Sequence, residues 1–219
     1  YEPLFSNREL INQLLNYKSE NILFNDLINL QIKEPLKEKE LSNSINSLKK
    51  ISNNVSIKVR KQYEENPYPR WRYTYTSIPL NFLSQLNYQI KPNKVETNNK
   101  FDNPKVLIAG CGTGSHIISA KNYLNTNILA VDLSLKSLAY AKRKTEELGF
   151  KNIEFLHTDI LQLKKLNKKF DVIESIGVIH HMKDPIKGLK MLLDLLEPHG
   201  FLKLGLYSEI ARRHIIKAR

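Results

Sequence analysis

Val106-Leu107-Ile108-Ala109-Gly110-Cys111-Gly112-Thr113-Gly114 decides the reading of this chain. Four apolar, largely branched residues form a buried strand, and three alternating glycines follow without a break, before a helical stretch that carries Ile117, Ile118 and Ala120. Glycines at such a turn let the backbone fold back tightly and let a ligand lie against it with no Cβ in the way. A plain strand-to-helix turn would look the same, so the neighbouring segments have to decide.

Outward from this turn, short β-branched runs alternate with amphipathic helices, the pattern of a parallel sheet covered on both faces. The expected strands are Val106–Ala109, Ile128–Val131, Ile153–His157, Phe170–Ile173 and Phe201–Leu206. Ser134 reads as the N-cap of a helix ending at Gly149, and Asp184 and Pro185 as N-cap and first residue of a helix ending at Gly200. The fold class expected is therefore α/β, a Rossmann-like, mostly parallel sheet with helices on both faces, preceded by a helical N-terminal region.

That preceding region is polar and helical over 1–61, with Ser6 and Glu9 at capping-box spacing ahead of Leu10, Ile11, Leu14 and Leu15. A second apolar stripe, Val55, Val59 and Tyr63, leads to Pro67 and Pro69, which end any helix. Residues 91–104 read as a polar linker, so the expected domains are 1–100, with an aromatic and proline-rich lid segment at 62–75, and 101–219.

Composition narrows the class. The 219 residues are 41% hydrophobic, enough to bury a core, and no apolar run approaches the length of a membrane span. Tyr1, Glu2 and Pro3 do not open a leader of basic then apolar residues, and the single cysteine, Cys111, has no partner for a disulfide, so the chain reads as cytoplasmic with no membrane. The net charge of +12 invites nucleic acid, but the lysines (Lys33, Lys37, Lys39, Lys49, Lys50, Lys58, Lys61, then Lys164, Lys165, Lys168, Lys169) are scattered and do not form one stripe.

Two carboxylates sit in register with the glycine turn. Asp132 closes the second strand, where it can accept both ribose hydroxyls of an adenosine, and Asp159 closes the third. Either could instead serve as a helix N-cap. Features at the carboxyl ends of three consecutive strands mark the edge at which such sheets bind ligands. A dinucleotide-binding turn would place its third glycine where this chain has Ser115, which argues against a nicotinamide enzyme.

The Gly110-Cys111-Gly112-Thr113-Gly114 turn, Asp132 and Asp159 resemble the cofactor motifs of class I S-adenosylmethionine-dependent methyltransferases. The resemblance implies S-adenosyl-L-methionine as cofactor, with Leu133 and Ile160 beside the two acids and Glu174 and Ser175 bordering the methionine half. It also implies that the segment Phe170–Met182, holding His180 and His181, is the post-strand region, where either imidazole could act as a base; the competing reading has one His capping backbone and the other solvated. Adjacent histidines with no third ligand do not make a metal site.

This chain departs from the resemblance at Ile108, where many members carry an acid, and in the short tail after Ser208, so that the family's last two strands are expected to lie outside this chain. Residues Gln62–Trp71, with Glu34-Pro35-Leu36 and Tyr207-Ser208-Glu209, resemble a bacterial methyltransferase group often joined to tetratricopeptide repeats. Within 62–75, Tyr68 is a catalytic candidate and Tyr63, Arg70 and Trp71 are substrate candidates; alternatively these rings pack the helical region onto the sheet. The acceptor is unknown, with a small molecule favoured over protein or RNA. A non-catalytic cofactor-binding module is the remaining alternative, and the sequence does not set the oligomeric state.

Overall fold

In the computed structural model, residues 4–48, 51–75 and 77–218 are described; Tyr1–Pro3, Lys49 and Lys50, used above only for charge, lie outside them. The chain divides into two compact units, Tyr1–Ser44 and Ile45–Arg219.

The first unit is helical. Helix α1 (Arg8–Leu15) is capped by Asn7, whose side chain accepts from Leu10 N at 3.1 Å, because a 3-10 turn at Leu4–Ser6 has already used Ser6. Helix α2 (Ile22–Ile28) is capped by Asn21 and runs through a π-helical stretch at Asn29–Lys33 into α3 (Glu34–Asn43). Ile11, Ile28 and Ile32 form its small buried core.

The second unit is built on a six-stranded sheet. Its strands are β1 (Asn46–Ser47), β2 (Lys105–Ala109), β3 (Asn127–Asp132), β4 (Ile153–His157), β5 (Phe170–Ile176) and β6 (Leu196–Gly205), in the order β1-β4-β3-β2-β5-β6. Every pairing is parallel. The helices beside it are α4 (Asn54–Glu65), α5 (Phe82–Gln89), α6 (Ser115–Ala120), α7 (Leu135–Glu147), α8 (Pro185–Asp194) and α9 (Arg213–Lys217). One face of the sheet is sealed by Leu107, Ala109, Leu129, Val131 and Ile173 against Ile160, Leu163, Ile179 and Leu192. On the aromatic side, Phe82 meets Tyr123 at 5.0 Å, Phe101 at 5.1 Å and Phe201 at 5.4 Å between ring centroids.

Three expectations change. Residues 1–61 are not helical throughout, since β1 adds a strand beside β4, with Leu48 N donating to His157 O at 3.2 Å. Helix α8 ends at Asp194 and not at Gly200: Pro198 biases Glu197 to extended backbone, and the chain enters β6 at Leu196, where it pairs with Phe170. Strand β5 runs to Ile176 instead of stopping at Ile173. The caps at Ser134 and Asp184 form as expected, accepting from Ser137 N and Lys187 N, and Gly149 takes a left-handed φ of +68° past α7.

Candidate active site

The glycine turn leaves β2 at the carboxyl edge of the sheet. Gly110 N and Cys111 N both donate to Val131 O at 2.9 Å, which folds the turn over the end of β3. Gly110 has φ +82°, and a Cβ there would lie 2.4 Å from Val178 Cγ2, so a side chain at this position would strain the backbone and force Val178 or the turn to shift. Gly112, with φ +51°, has open space where a Cβ would be.

Above this edge lies a cavity of about 280 Å³. Gly110, Cys111, Gly112, Thr113, Asp132, Leu133, Asp159 and Ile160 all line it, as do Tyr63, Tyr68 and His181. Gly114 does not line it; its missing Cβ lets the turn lie against Ala141 of α7, which a Cβ would meet at 2.9 Å.

Asp132 closes the turn electrostatically. One carboxylate oxygen accepts from Gly112 N at 2.8 Å and the other from Ser134 N at 2.8 Å. Burial raises its pKa from the ordinary aspartate value, while those two N–H groups and nearby His157 pull it back. Leu133 is fixed by its carbonyl, 2.9 Å from His157 Nε2. Asp159 is both wall and cap: its Oδ1 accepts from Leu161 N at 2.9 Å at the start of the 3-10 segment Ile160–Leu166. The Cys111 thiol is pushed far up by burial and by the charge of Asp132, which leaves it protonated and unreactive.

The 62–75 segment is stitched to the same edge. Ser134 Oγ donates to Tyr63 O at 3.2 Å, Thr113 Oγ1 to Pro69 O at 2.6 Å, and Trp71 Nε1 to Thr113 O at 3.0 Å. Arg70 and Trp71 do not line the cavity: the Arg70 guanidinium sits 4.6 Å from the centre of the Tyr140 ring, and Trp71 packs edge-on against the same ring at 6.1 Å. The two alternatives for the segment thus divide it, Tyr63 and Tyr68 facing the cavity and Arg70 and Trp71 packing. The Tyr63 phenol is raised by burial, then by Asp132 and Tyr207, and so stays protonated.

Glu174 and Ser175 need correction. Because β5 continues to Ile176, both lie inside the sheet, and the wall is formed instead by Ile176, Gly177 and Val178. Ser175 Oγ donates to Ala109 O at 3.0 Å, and Glu174 Oε1 accepts from Tyr123 OH at 2.6 Å. His180 is also off the wall. It stacks behind His181 at 4.2 Å and against Tyr207 at 4.1 Å, with both ring nitrogens buried and unpaired. Its pKa is lowered by burial, then by His181 and Arg212, so it is held neutral.

The sequence reading missed Val55, Ser56, Val59, His116, Met182 and Tyr207 as wall residues. For the α4 residues the i, i+4 stripe was the available signal; for the others no local pattern exists. Among the described residues, no three His, Cys, Asp or Glu side chains are grouped to hold a metal ion, and no helix is long and apolar enough to cross a membrane.

Comparison with known proteins agrees with this geometry. Residues 100–214 match the methyltransferase domain model, and the chain belongs to that family, a class of S-adenosylmethionine-dependent transferases. It is 36% identical over 118 residues to an uncharacterized protein of Synechococcus sp. (51% of this chain, 27% of the relative). It is 25% identical over 170 residues to a ubiquinone biosynthesis O-methyltransferase of Haemophilus ducreyi (74% and 69%). A similar uncharacterized protein of Rickettsia prowazekii is 34% identical over 139 residues, covering 62% of this chain and 24% of that protein. The chain thus spans about a quarter of the length of the Synechococcus and Rickettsia relatives. Among solved structures, magnesium protoporphyrin IX methyltransferase from Synechocystis with bound SAH shares the fold at 21% identity and a TM-score of 0.52, covering 75% of this chain and 78% of that one.

Proposed function

We propose that the cavity binds S-adenosylmethionine and that the chain transfers its methyl group to a small-molecule acceptor. The observation that carries this is the convergence of the Gly110–Thr113 turn, Asp132 and Asp159 on one cavity at the ends of β2, β3 and β4. Asp132 keeps one lone pair on each oxygen beyond those used by Gly112 and Ser134, which suits a pair of ribose hydroxyls. Asp159, with Ile160 beside it, suits the adenine edge. Gly112 leaves room for the cofactor chain to lie against the backbone.

When bound, S-adenosylmethionine supplies a methyl group already activated on its sulfonium. The protein then has to align the acceptor in line with the sulfur and, for a hydroxyl, receive a proton. His181 on the wall is placed for that proton, His180 stacks behind it and holds its ring, and the Tyr68 hydroxyl orients the acceptor from the opposite segment. Tyr63, Tyr68, Tyr207 and Met182 give the outer wall an aromatic and apolar character, which supports a small molecule over a nucleic acid. Residues 62–75 act as the lid in this reading. The buried free thiol of Cys111 accords with a cytoplasmic setting.

Calorimetric titration with S-adenosylhomocysteine tests the reading. Saturable binding is expected, weakened at least about 30-fold, or 2 kcal/mol, in Asp132→Ala, the scale of losing a buried charged hydrogen-bond partner. A folded wild-type chain that binds nothing would overturn it.

A further inference from the structure

The segments that follow β5 and β6 leave the sheet side by side. Ile176 is aligned with Gly205, Gly177 N donates to Gly205 O at 2.9 Å, and a Cβ on Gly205 would meet Ile176 Cγ2 at 2.4 Å, so the glycine lets the two strand ends touch. Past β5 the chain makes the 3-10 turn Ile179–His181. Past β6, Ser208 closes a turn: its Oγ accepts from Ala211 N at 3.2 Å and its carbonyl from Arg212 N at 3.2 Å, which brings Arg212 back over Tyr207.

Four side chains from these two segments form one stack. The Arg212 guanidinium lies 4.0 Å from the centre of the Tyr207 ring, Tyr207 lies 4.1 Å from His180, and His180 lies 4.2 Å from His181; Tyr207 also meets His181 edge-on at 6.3 Å. Successive side chains on a 3-10 turn point about 120° apart, so the two imidazoles do not meet unless something holds them together. Among the described residues no hydrogen bond does this for His180, whose two ring nitrogens are buried and unpaired. Ring contact fixes it instead, and Tyr207 supplies that contact from outside the turn. A buried imidazole with no partner also stays uncharged, because a charged one would lose its solvation and gain nothing in return.

We propose that Tyr207, braced by Arg212, is the positioning residue that selects His181 over His180 as the proton acceptor: it clamps His180 behind the wall, and His180 keeps His181 turned to the cavity. This rests on the cavity being the S-adenosylmethionine site and on His181 receiving the acceptor's proton there. His180 then serves as a ring and does not compete for that proton. The choice between the two imidazoles is thereby made by a segment outside the glycine turn and the two acids.

The test is site-resolved acylation of the imidazoles by diethyl pyrocarbonate, read by fragment mass spectra that separate His180 from His181. In the wild type, His181 is expected to react about tenfold faster than His180, the scale of one aromatic ring contact. In Tyr207→Ala the two rates are expected to come within about threefold of each other, while Tyr207→Phe, which keeps the ring, restores the wild-type ratio. An unchanged ratio in Tyr207→Ala, or its loss in Tyr207→Phe, would overturn the proposal. If Tyr207→Ala does not fold, Arg212→Gln decides: a ratio lowered at least about twofold supports the clamp, and a wild-type ratio overturns it. The ratio is read without cofactor, so a wild-type chain that binds no S-adenosylhomocysteine would instead overturn the cofactor reading.

Discussion

At one end of the cavity, Gly110–Thr113, Asp132, Leu133, Asp159 and Ile160 stand where three neighbouring strands stop; at the other, Val55, Tyr63, Tyr68, His181 and Tyr207 come from segments scattered along the chain. The first end is made by short turns whose backbone N–H groups are tied to one carboxylate, Asp132, and to the carbonyl of Val131. The second is made by side chains held through distant hydrogen bonds, such as Thr113 to Pro69 and Ser134 to Tyr63. The difference teaches where each property resides. In the proposed reading, cofactor recognition follows from the connectivity of a parallel sheet, while acceptor choice is left to segments that can vary without disturbing it.

The comparison breaks most visibly at Gly110. In Gly110→Ala, the added Cβ meets Val178 and the φ of +82° strains any L-residue, so stability is expected to fall by about 3 kcal/mol in chemical denaturation, the scale of overpacking combined with backbone strain. A loss below about 1 kcal/mol would show that the turn can shift.

Acidification probes the same end more gently. Burial raises Asp132, and in the proposed reading its charged form is the one that accepts two hydroxyls, so affinity for S-adenosylhomocysteine is expected to be full above the raised pKa and to fall as pH drops through it. The fall approaches about tenfold per pH unit and starts at a higher pH than for an exposed aspartate near 3.9. Titrations across pH should show this in wild type and not in Asp132→Ala.

Trp71→Phe tests how firmly the two ends are joined, since it removes the hydrogen bond to Thr113 O and keeps most of the ring contact with Tyr140. A loss of about 1 kcal/mol in thermal unfolding is expected. The smallest effect belongs to Tyr75→Ala: the ring is 98% exposed, and stability should stay within about 0.5 kcal/mol. A larger change would mean that the outer part of the 62–75 segment takes part in the fold.

Wherever a feature depends on neighbours in sequence, it was legible. The βα alternation, the left-handed glycine turn, the caps at Ser134 and Asp184 and the stripe Val55, Val59, Tyr63 all rest on contacts within a few residues. The lengths of β5 and α8 were not legible: the polar Glu174 and Ser175 mark an end after Ile173 although the strand continues to Ile176, apolar Leu195 and Leu196 carry on past the end of α8, and only pairing with β6 decides both. That extension is what withdraws Glu174 and Ser175 from the wall.

The sequence by itself determined the parallel α/β architecture, the glycine turn and the two acids that end β3 and β4, because periodicity and turn chemistry are local and survive any arrangement of the rest. Only the tertiary structure decided that a two-residue strand at Asn46–Ser47 joins the sheet, that His181 faces the cavity while His180 stands behind it, and that Glu174 lies in register with Ile108. These depend on register between strands far apart in the chain and on which side chain a packed neighbour turns aside, and neither leaves a pattern along the sequence.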